Sequence, residues 1–494
     1  MSKRFTLRLG FFAVLAVFVL LALVIPSDHD EGQYVAAAHF VAEGLRPYRD
    51  FPYLQTPLQP YLTAPLAWLA PGWLFLAIRL TNALAMALAV LLLARTAIAV
   101  SGRRVAGWLT LAGVAAVDAV QFGASVARND ALPFLFFTAA ITLLYARRRA
   151  TLWRVFSVGL LLGLAASTKV SYALPAAAVG AMALWHGRHA DRAEVAALLG
   201  GLIVGGLPIL WFFATDTQAF LFFAYRYSID AVAAWQSYNG SLDALEWPKR
   251  LRRFVTFLAL GPTLVLLVAA AVARRQDERN NMASPLGVMP GVLLGVALVA
   301  AILPMPSFRQ YVLPIIPALV LVIALRGEGM LDRLTQRRLL ARVAAGLLVV
   351  TSLAGSGRSL WAAIDGPPGR RPIAIERDAH RLGQYAQGGR VIGLDPLLLV
   401  DSGLELDPRF ATGPFLFRAG NLRACADPRL CGVTFAHLER LDRDPPRLVL
   451  TGTERRSPRR IEGGLDGHLD RWARRRGYRP HRFGSHILWI APAS

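Results

Sequence analysis

The chain has 494 residues, 55% hydrophobic and only 17% charged, with a formal net charge of +22. Soluble domains carry roughly a quarter charged residues, so these totals and a mean hydropathy of +0.43 exclude an ordinary soluble protein and point to a polytopic membrane protein. No basic groove interleaved with aromatics is visible, which excludes nucleic-acid binding as the source of the positive charge.

The first apolar run, Leu9 to Ile25, exceeds the apolar core of a signal peptide, and no A-x-A cleavage site follows it. It reads as an uncleaved span with Lys3, Arg4 and Arg8 on the cytoplasmic side. Then comes "SDHDEGQYVAAAHF" (Ser27 to Phe40), which sets Asp28, Asp30 and Glu31 at the rim of that span. Apolar residues at helical spacing up to Gly44 predict an amphipathic helix lying at the membrane interface. Asp30 and Glu31 also suit its N-cap and first turn. The Pro- and aromatic-rich "LRPYRDFPYLQTPLQPYLTAPL" predicts a surface segment on the bilayer edge, within an outer loop over residues 26–72.

Candidate spans lie at roughly 8–25, 73–98, 104–123, 131–146, 151–168, 171–186, 195–214, 254–273, 286–304, 309–325 and 339–356. Alternation sends Arg103 and Arg104, the run Arg147 to Arg149, Arg188 and Arg192, Arg274, Arg275 and Arg279, and Arg326, Arg333, Arg337 and Arg338 to one side, as the positive-inside rule requires. The run "WPKRLRR" (Trp247 to Arg253) is the exception, in an outer loop. After the last span the composition changes to Pro, Gly, Asp and Arg, with short β-rich pieces such as "RVIGLDPLLLV" and "HILWIAP". Residues 1–356 therefore read as a membrane domain, and 357–494 as a small outer α/β domain. Phe415, Phe417, Trp472 and Trp489 are expected to supply its core. The two cysteines, Cys425 and Cys431, lack the further ligands of a zinc site. They form a disulfide if this domain lies in an oxidising compartment, and are free thiols otherwise.

The polar residues that interrupt the spans collect on one side. Arg128, Asn129 and Asp130 open the fourth span, Lys169 closes the fifth, and Arg309, Gln310 and Tyr311 open the tenth. All fall on the side of Asp30 and Glu31, although none was used to choose the topology. Charges at a membrane rim are costly and mark function, so one outer-facing cleft with carboxylates and cations is expected. Each also has a plain structural reading: an ion pair for Arg128 with Asp130, and headgroup contacts for Lys169 and Arg309. Cations suit a phosphate-linked lipid donor, and a carboxylate suits the general base that takes a proton from an incoming hydroxyl.

"DEGQYVAAAHFVAEGLRPYRDF…TPLQPYL" resembles the first-loop signature of GT-C membrane glycosyltransferases. The branch is the one that includes protein O-mannosyltransferases and the aminoarabinose transferase acting on lipid A. "ARNDALPFLFF", "GLLLGLAASTKVSYALP" and "FRQYVLPIIPALVLVIA" resemble further stretches of bacterial members. The resemblance covers roughly residues 8–326 and implies an α-helical polytopic fold of about eleven transmembrane helices. It further implies an inverting transferase at the outer face of a bacterial inner membrane. Such an enzyme moves a sugar from a polyprenyl-phosphate donor to a lipid, glycan or protein acceptor. By it Asp30 matches the catalytic aspartate, with Glu31 beside it, and Asp130 the second acidic residue. Lys169 and Arg309 fall where bases contact the carrier phosphate, with Tyr34 and Tyr311 as supporting neighbours; Arg128, on the same side, is a further candidate for that phosphate.

Some relatives carry an acidic–basic pair before the first-loop proline, where this chain has Gln55 and Thr56, so that part of donor binding differs. No cofactor is assigned. His29, His39 and Glu43 make no metal-ligand spacing, and a divalent metal stays an open alternative. A flippase of lipid-linked saccharides is the alternative function, and a non-catalytic membrane scaffold a third.

Overall fold

The computed structural model describes residues 5–146, 151–186, 191–238, 241–277, 285–336, 338–386, 388–455 and 464–492. Of the basic residues used for topology, Lys3, Arg4, Arg147 to Arg149, Arg188, Arg279 and Arg337 lie outside them. Each of the eleven apolar segments contains helix in its described residues, with breaks at residues 116–117 in 104–123 and at 260–262 in 254–273. Among the described residues, four helices are long and apolar enough to cross a membrane on their own: Leu7–Val24, Leu74–Ser101, Arg192–Thr215 and Leu339–Asp365. Two bent pairs raise the number to six, namely Arg104–Ala115 with Asp118–Ser125, and Trp247–Ala259 with Thr263–Ala271. Among the described residues the other five segments each hold an apolar helical stretch of 10–17 residues, short of the roughly 20 apolar residues that cross a bilayer upright. The chain is a multi-pass, predominantly helical membrane protein.

Two compact units emerge. The first comprises Met1–Ile25, Arg79–Pro208 and Trp247–Gly366. Its core is a helix-on-helix packing of Phe18, Met86, Val90, Phe134, Phe137, Leu162, Leu293 and Leu313, all buried. Lipid is as apolar as leucine, so helices in a membrane associate through close fit rather than through exclusion of water. Leu152–Thr168 and Arg192–Thr215 achieve this with a reciprocal glycine seam. A Cβ on Gly159 would lie 2.1 Å from the Leu198 carbonyl oxygen, and one on Gly201 2.1 Å from that of Phe156. Gly163 and Gly205 repeat the pattern one turn on, at 2.6 Å and 2.2 Å from backbone oxygens. The Ser167 hydroxyl then donates to the Gly205 carbonyl at 2.8 Å.

The second unit comprises Pro26–Ile78, Ile209–Glu246 and Pro367–Ser494. Its sheet contains β1 (Arg390–Gly393), β2 (Glu405–Leu406), β3 (Leu448–Thr451), β4 (Arg479–Phe483) and β5 (His486–Ile490). The order is β2-β1-β3-β5-β4, with β1 parallel to β2 and β3, and β5 antiparallel to β3 and β4. Ile392, Phe410, Phe417, Val449, Leu469, Trp472 and Trp489 form the core. The expected α/β character is present. Phe415 departs from expectation: it is half-buried and meets the His29 ring edge-on at 5.0 Å. Cys425 and Cys431 are joined in a disulfide, with Cα atoms 4.7 Å apart.

The first-loop helix differs from its predicted form. Glu31–Ala42 does not present one apolar face: nine of its twelve residues are buried. Ala36, Ala37 and Ala38 are small enough to let neighbouring backbone close in, so the helix is enclosed rather than interfacial. The following segment also turns inward, with Tyr48, Phe51, Tyr53 and Leu54 all buried.

The same unit holds the first turn of the helix Leu74–Ser101. The amides of Leu74 and Phe75 donate to the two Asp401 carboxylate oxygens at 3.0 and 3.1 Å, and that of Leu76 to Glu376 at 3.0 Å. These are three of the four amides a helix start leaves without partners. Burial first, and then the Asp401 charge, push the Glu376 carboxyl up to about 9 from its ordinary 4.5. In the unfolded chain this group ionises near 4.5, so between those two values the native state binds the extra proton and stability falls as pH rises. Glu376→Gln keeps an acceptor for Leu76 and cannot ionise. Thermal unfolding followed from pH 5 to pH 9 is expected to show a shallower decline in the variant, which becomes the more stable form at the alkaline end. Parallel curves would contradict the extra proton on Glu376.

Candidate active site

In the first unit the site begins with a break in a helix. Val117 is extended, Asp118 donates its amide to the Leu260 carbonyl at 3.0 Å, and a Cβ on Gly355 would approach the Ala116 oxygen to 2.5 Å. The chain therefore bends by 66° between Arg104–Ala115 and Asp118–Ser125. The bend sets Asp118, 1% exposed, between Arg309 at 3.2 Å and Arg358 at 3.3 Å.

Past Ser125 the backbone is extended at Val126, and Asn82 ties the loop down by donating to the carbonyls of Val126 and Arg128 at 2.7 and 2.9 Å. Asp130, buried at the start of Ala131–Leu144, is held from two directions. Arg128 Nε lies 3.2 Å from one oxygen, and Lys169 Nζ donates to the other. Lys169 also reaches Asn129 Oδ1 at 3.3 Å, while Asn129 donates to the Thr168 carbonyl at 3.2 Å. Aromatic faces complete the group: Arg309 stacks on Phe122 at 3.6 Å, Arg128 approaches the same ring at 5.5 Å, and Lys169 lies 6.0 Å from the Tyr311 ring.

Arg128, Asp130, Lys169, Arg309 and Tyr311 are thus brought into one contiguous cluster from distant segments. Buried charges are tolerated only when paired, and here Arg128 and Lys169 pair with Asp130, and Arg309 and Arg358 with Asp118. The planar guanidinium groups suit phosphate oxygens. The Arg309 and Arg358 side chains keep 25% and 43% of their exposure, so they are within reach of a ligand.

In the second unit, Asp30 and Glu31 take different places. Glu31 is fully buried and accepts the Asp28 amide at 2.7 Å, so its carboxylate shapes the turn. Asp30 occupies the N-cap position without making a side-chain cap bond, and its side chain is 31% exposed. Tyr34 is buried and meets Tyr53 edge-on at 6.4 Å. Gln55 accepts the Tyr48 hydroxyl through its backbone at 2.5 Å, and Thr56 is buried. His39 pairs with Glu43 at 3.3 Å, whereas His29 pairs with Glu454 at 2.9 Å. Among the described residues no group of three or more His, Cys, Asp or Glu side chains is arranged to hold a metal.

Sequence reading passed over Asp118, Arg358, Asn82 and Phe122. Asp118 did leave a signal, as the lone acid inside the apolar run 104–123, and intramembrane acids are functional candidates by default. Arg79 left the same signal and has a structural task, donating to the carbonyls of Ala22 and Ile25 at 2.9 and 2.8 Å where the first helix ends.

No protein-family model matches the chain, and comparison with curated proteins finds no match. Among solved structures, the chain is similar to ArnT from Cupriavidus metallidurans bound to undecaprenyl phosphate, with a TM-score of 0.62 and 14% identity over 100% of this chain and 99% of that one. It is similar to the oligosaccharyltransferase of Archaeoglobus fulgidus, with a TM-score of 0.55 and 10% identity over 99% of this chain and 75% of that one. It is also similar to the arabinofuranosyltransferase AftD from Mycobacteria, with a TM-score of 0.54 and 15% identity over 100% of this chain and 40% of that one. At such identities the likeness speaks for architecture and not for substrate. The bent spans, the helical membrane region and the small C-terminal sheet together give this chain the fold of the GT-C membrane glycosyltransferases.

Proposed function

We propose that the protein is a glycosyltransferase that moves a sugar from a polyprenyl-phosphate carrier to a hydroxyl acceptor, with inversion. The observation that carries this reading is the cluster that gathers Arg128, Lys169 and Arg309 with Asp130 and Asp118 from distant segments. Two named solved relatives in the same fold were captured with undecaprenyl phosphate and with dolichol phosphate, which supports a lipid-phosphate donor. The reaction is proposed for the outer face of a bacterial inner membrane, where residues 357–494 would also lie. The Cys425–Cys431 disulfide supports an oxidising compartment.

In the proposed reaction Asp30 takes the proton of the acceptor hydroxyl, whose oxygen bonds to the anomeric carbon as the bond from that carbon to the phosphate oxygen breaks. The departing lipid phosphate keeps the electron pair, and Arg128, Lys169 and Arg309 stabilise its charge. Asp130 orients Lys169, and Asp118 orients Arg309. A flippase is not favoured, since the solved relatives named above are transferases.

Purified protein in detergent, with no membrane barrier to cross, is expected to turn over a polyprenyl-phosphate sugar. Asp118→Asn should raise the donor KM about tenfold with a smaller change in kcat, because the Asp118 charge no longer orients Arg309 while the reacting groups stay intact. Absence of turnover across lipid-phosphate sugars, with transport in vesicles instead, would overturn the assignment. An unchanged donor KM in the variant would remove Asp118 from it.

A further inference from the structure

We propose that His29 is a positioning residue for Asp30, fixing that carboxylate through an imidazole that is itself held by Glu454. This rests on Asp30 being the general base, and adds the device that sets its orientation. His29 Nδ1 lies 3.9 Å from Asp30 Oδ1, and Nε2 lies 2.9 Å from Glu454 Oε1. The ring is held edge-on against Phe415 at 5.0 Å. Both ring nitrogens therefore face carboxylates, an arrangement that fits a doubly protonated ring.

The far end of this chain of contacts is anchored. Glu454 donates its amide to Asp466 Oδ2 at 2.6 Å, and Gly452 does the same at 2.9 Å. Asp466 is buried, so the turn that presents Glu454 is pinned to the interior of the C-terminal region. The near end is anchored through backbone: the Asp30 amide donates to Asp28 Oδ1 at 3.2 Å, and the Asp28 amide to Glu31 at 2.7 Å. Backbone contacts thus place the Asp30 main chain, and His29 places its carboxylate.

The charged groups around the ring are consistent with a cation there. Asp28, Asp395, Glu454 and Arg370 line the same small cavity as His29, and Asp30 adjoins it. Arg370 is engaged with Asp395 at 3.2 Å. Burial alone would lower the imidazole pKa, but the neighbouring Asp30 and Glu454 carboxylates outweigh it and bring the group to about 9 from 6.5. The imidazolium is present at neutral pH and is lost as pH rises through that value.

The test uses full-length, histidine-labelled protein in detergent, with the His29 resonance assigned by its disappearance in His29→Gln. The expected midpoint of His29 is near 9 in the wild type, and at least about one unit lower in Glu454→Gln. The kcat of Glu454→Gln should fall about tenfold, with its alkaline limb moved to lower pH and donor KM unchanged. A His29 midpoint near its ordinary value in the wild type overturns the proposal, as does a Glu454→Gln variant with the wild-type midpoint and pH profile. Asp30→Asn separates the two claims. If that variant stays active while the Glu454-dependent titration persists, the assignment of the base fails and the chain of contacts stands.

Discussion

Replacing Asp30 by asparagine is expected to lower sugar transfer about 10³-fold and to leave the protein folded and membrane-inserted. The expectation of intact folding comes from the geometry. Asp30 sits at the N-cap of Glu31–Ala42 without making a side-chain cap bond, and asparagine is as good a cap residue as aspartate. Asparagine matches the shape and cannot accept a full proton, so the base is removed together with one of the two charges beside His29. Glu31→Gln is the useful contrast. Its carboxylate is buried on the Asp28 amide, so the loss expected there appears first in thermal stability. The measurement is initial-rate transfer by purified variants of matched purity, with size exclusion in detergent as the folding check. Wild-type rates in Asp30→Asn would eliminate this residue as the base and leave it a structural partner of His29.

The second large effect concerns stability. Gly201→Ala introduces one methyl group, which would sit 2.1 Å from the Phe156 carbonyl oxygen and 2.7 Å from the Leu160 nitrogen. Both are backbone atoms and cannot rotate away, so the helices Leu152–Thr168 and Arg192–Thr215 must move apart. Overpacking of this kind costs about 3 kcal/mol, and leucine at the same place is expected to prevent recovery of folded protein. Gly206→Ala provides the control: a Cβ there meets nothing within 4 Å, and the helix gains about 1 kcal/mol of propensity. Thermal melts of the two alanine variants in one detergent should move in opposite directions. A Gly201→Ala melt equal to that of the wild type would show that the seam is looser than its distances require.

Much of the fold was legible because its cause is one-dimensional. A run of apolar residues long enough for lipid must be helical there, and every candidate segment contains helix in its described residues. The enclosed first-loop helix was not legible, because alanines at helical spacing look alike whether the other side meets lipid or protein. Phe415 illustrates the same limit: hydrophobicity suggested core, whereas its neighbour is a histidine from the first loop.

Within the candidate site, Arg128, Asp130, Lys169 and Arg309 could be picked out because charge is expensive at membrane depth. Asp118 obeys the same rule but was read as part of an unbroken span. The bend that gives it a role depends on Leu260 and Gly355, far away in sequence. The glycine seam was equally hidden, since a glycine's worth lies in the backbone that approaches it.

The hold that Asp401 and Glu376 exert on Leu74, Phe75 and Leu76 bears on how this architecture can be taken apart. A chain cut after the last membrane helix would leave those three amides without acceptors at the start of a spanning helix. The C-terminal region is therefore not a detachable module that can be exchanged for a tag or for a homologue's counterpart. Any chimera has to carry both acids along, or supply new caps where the helix begins.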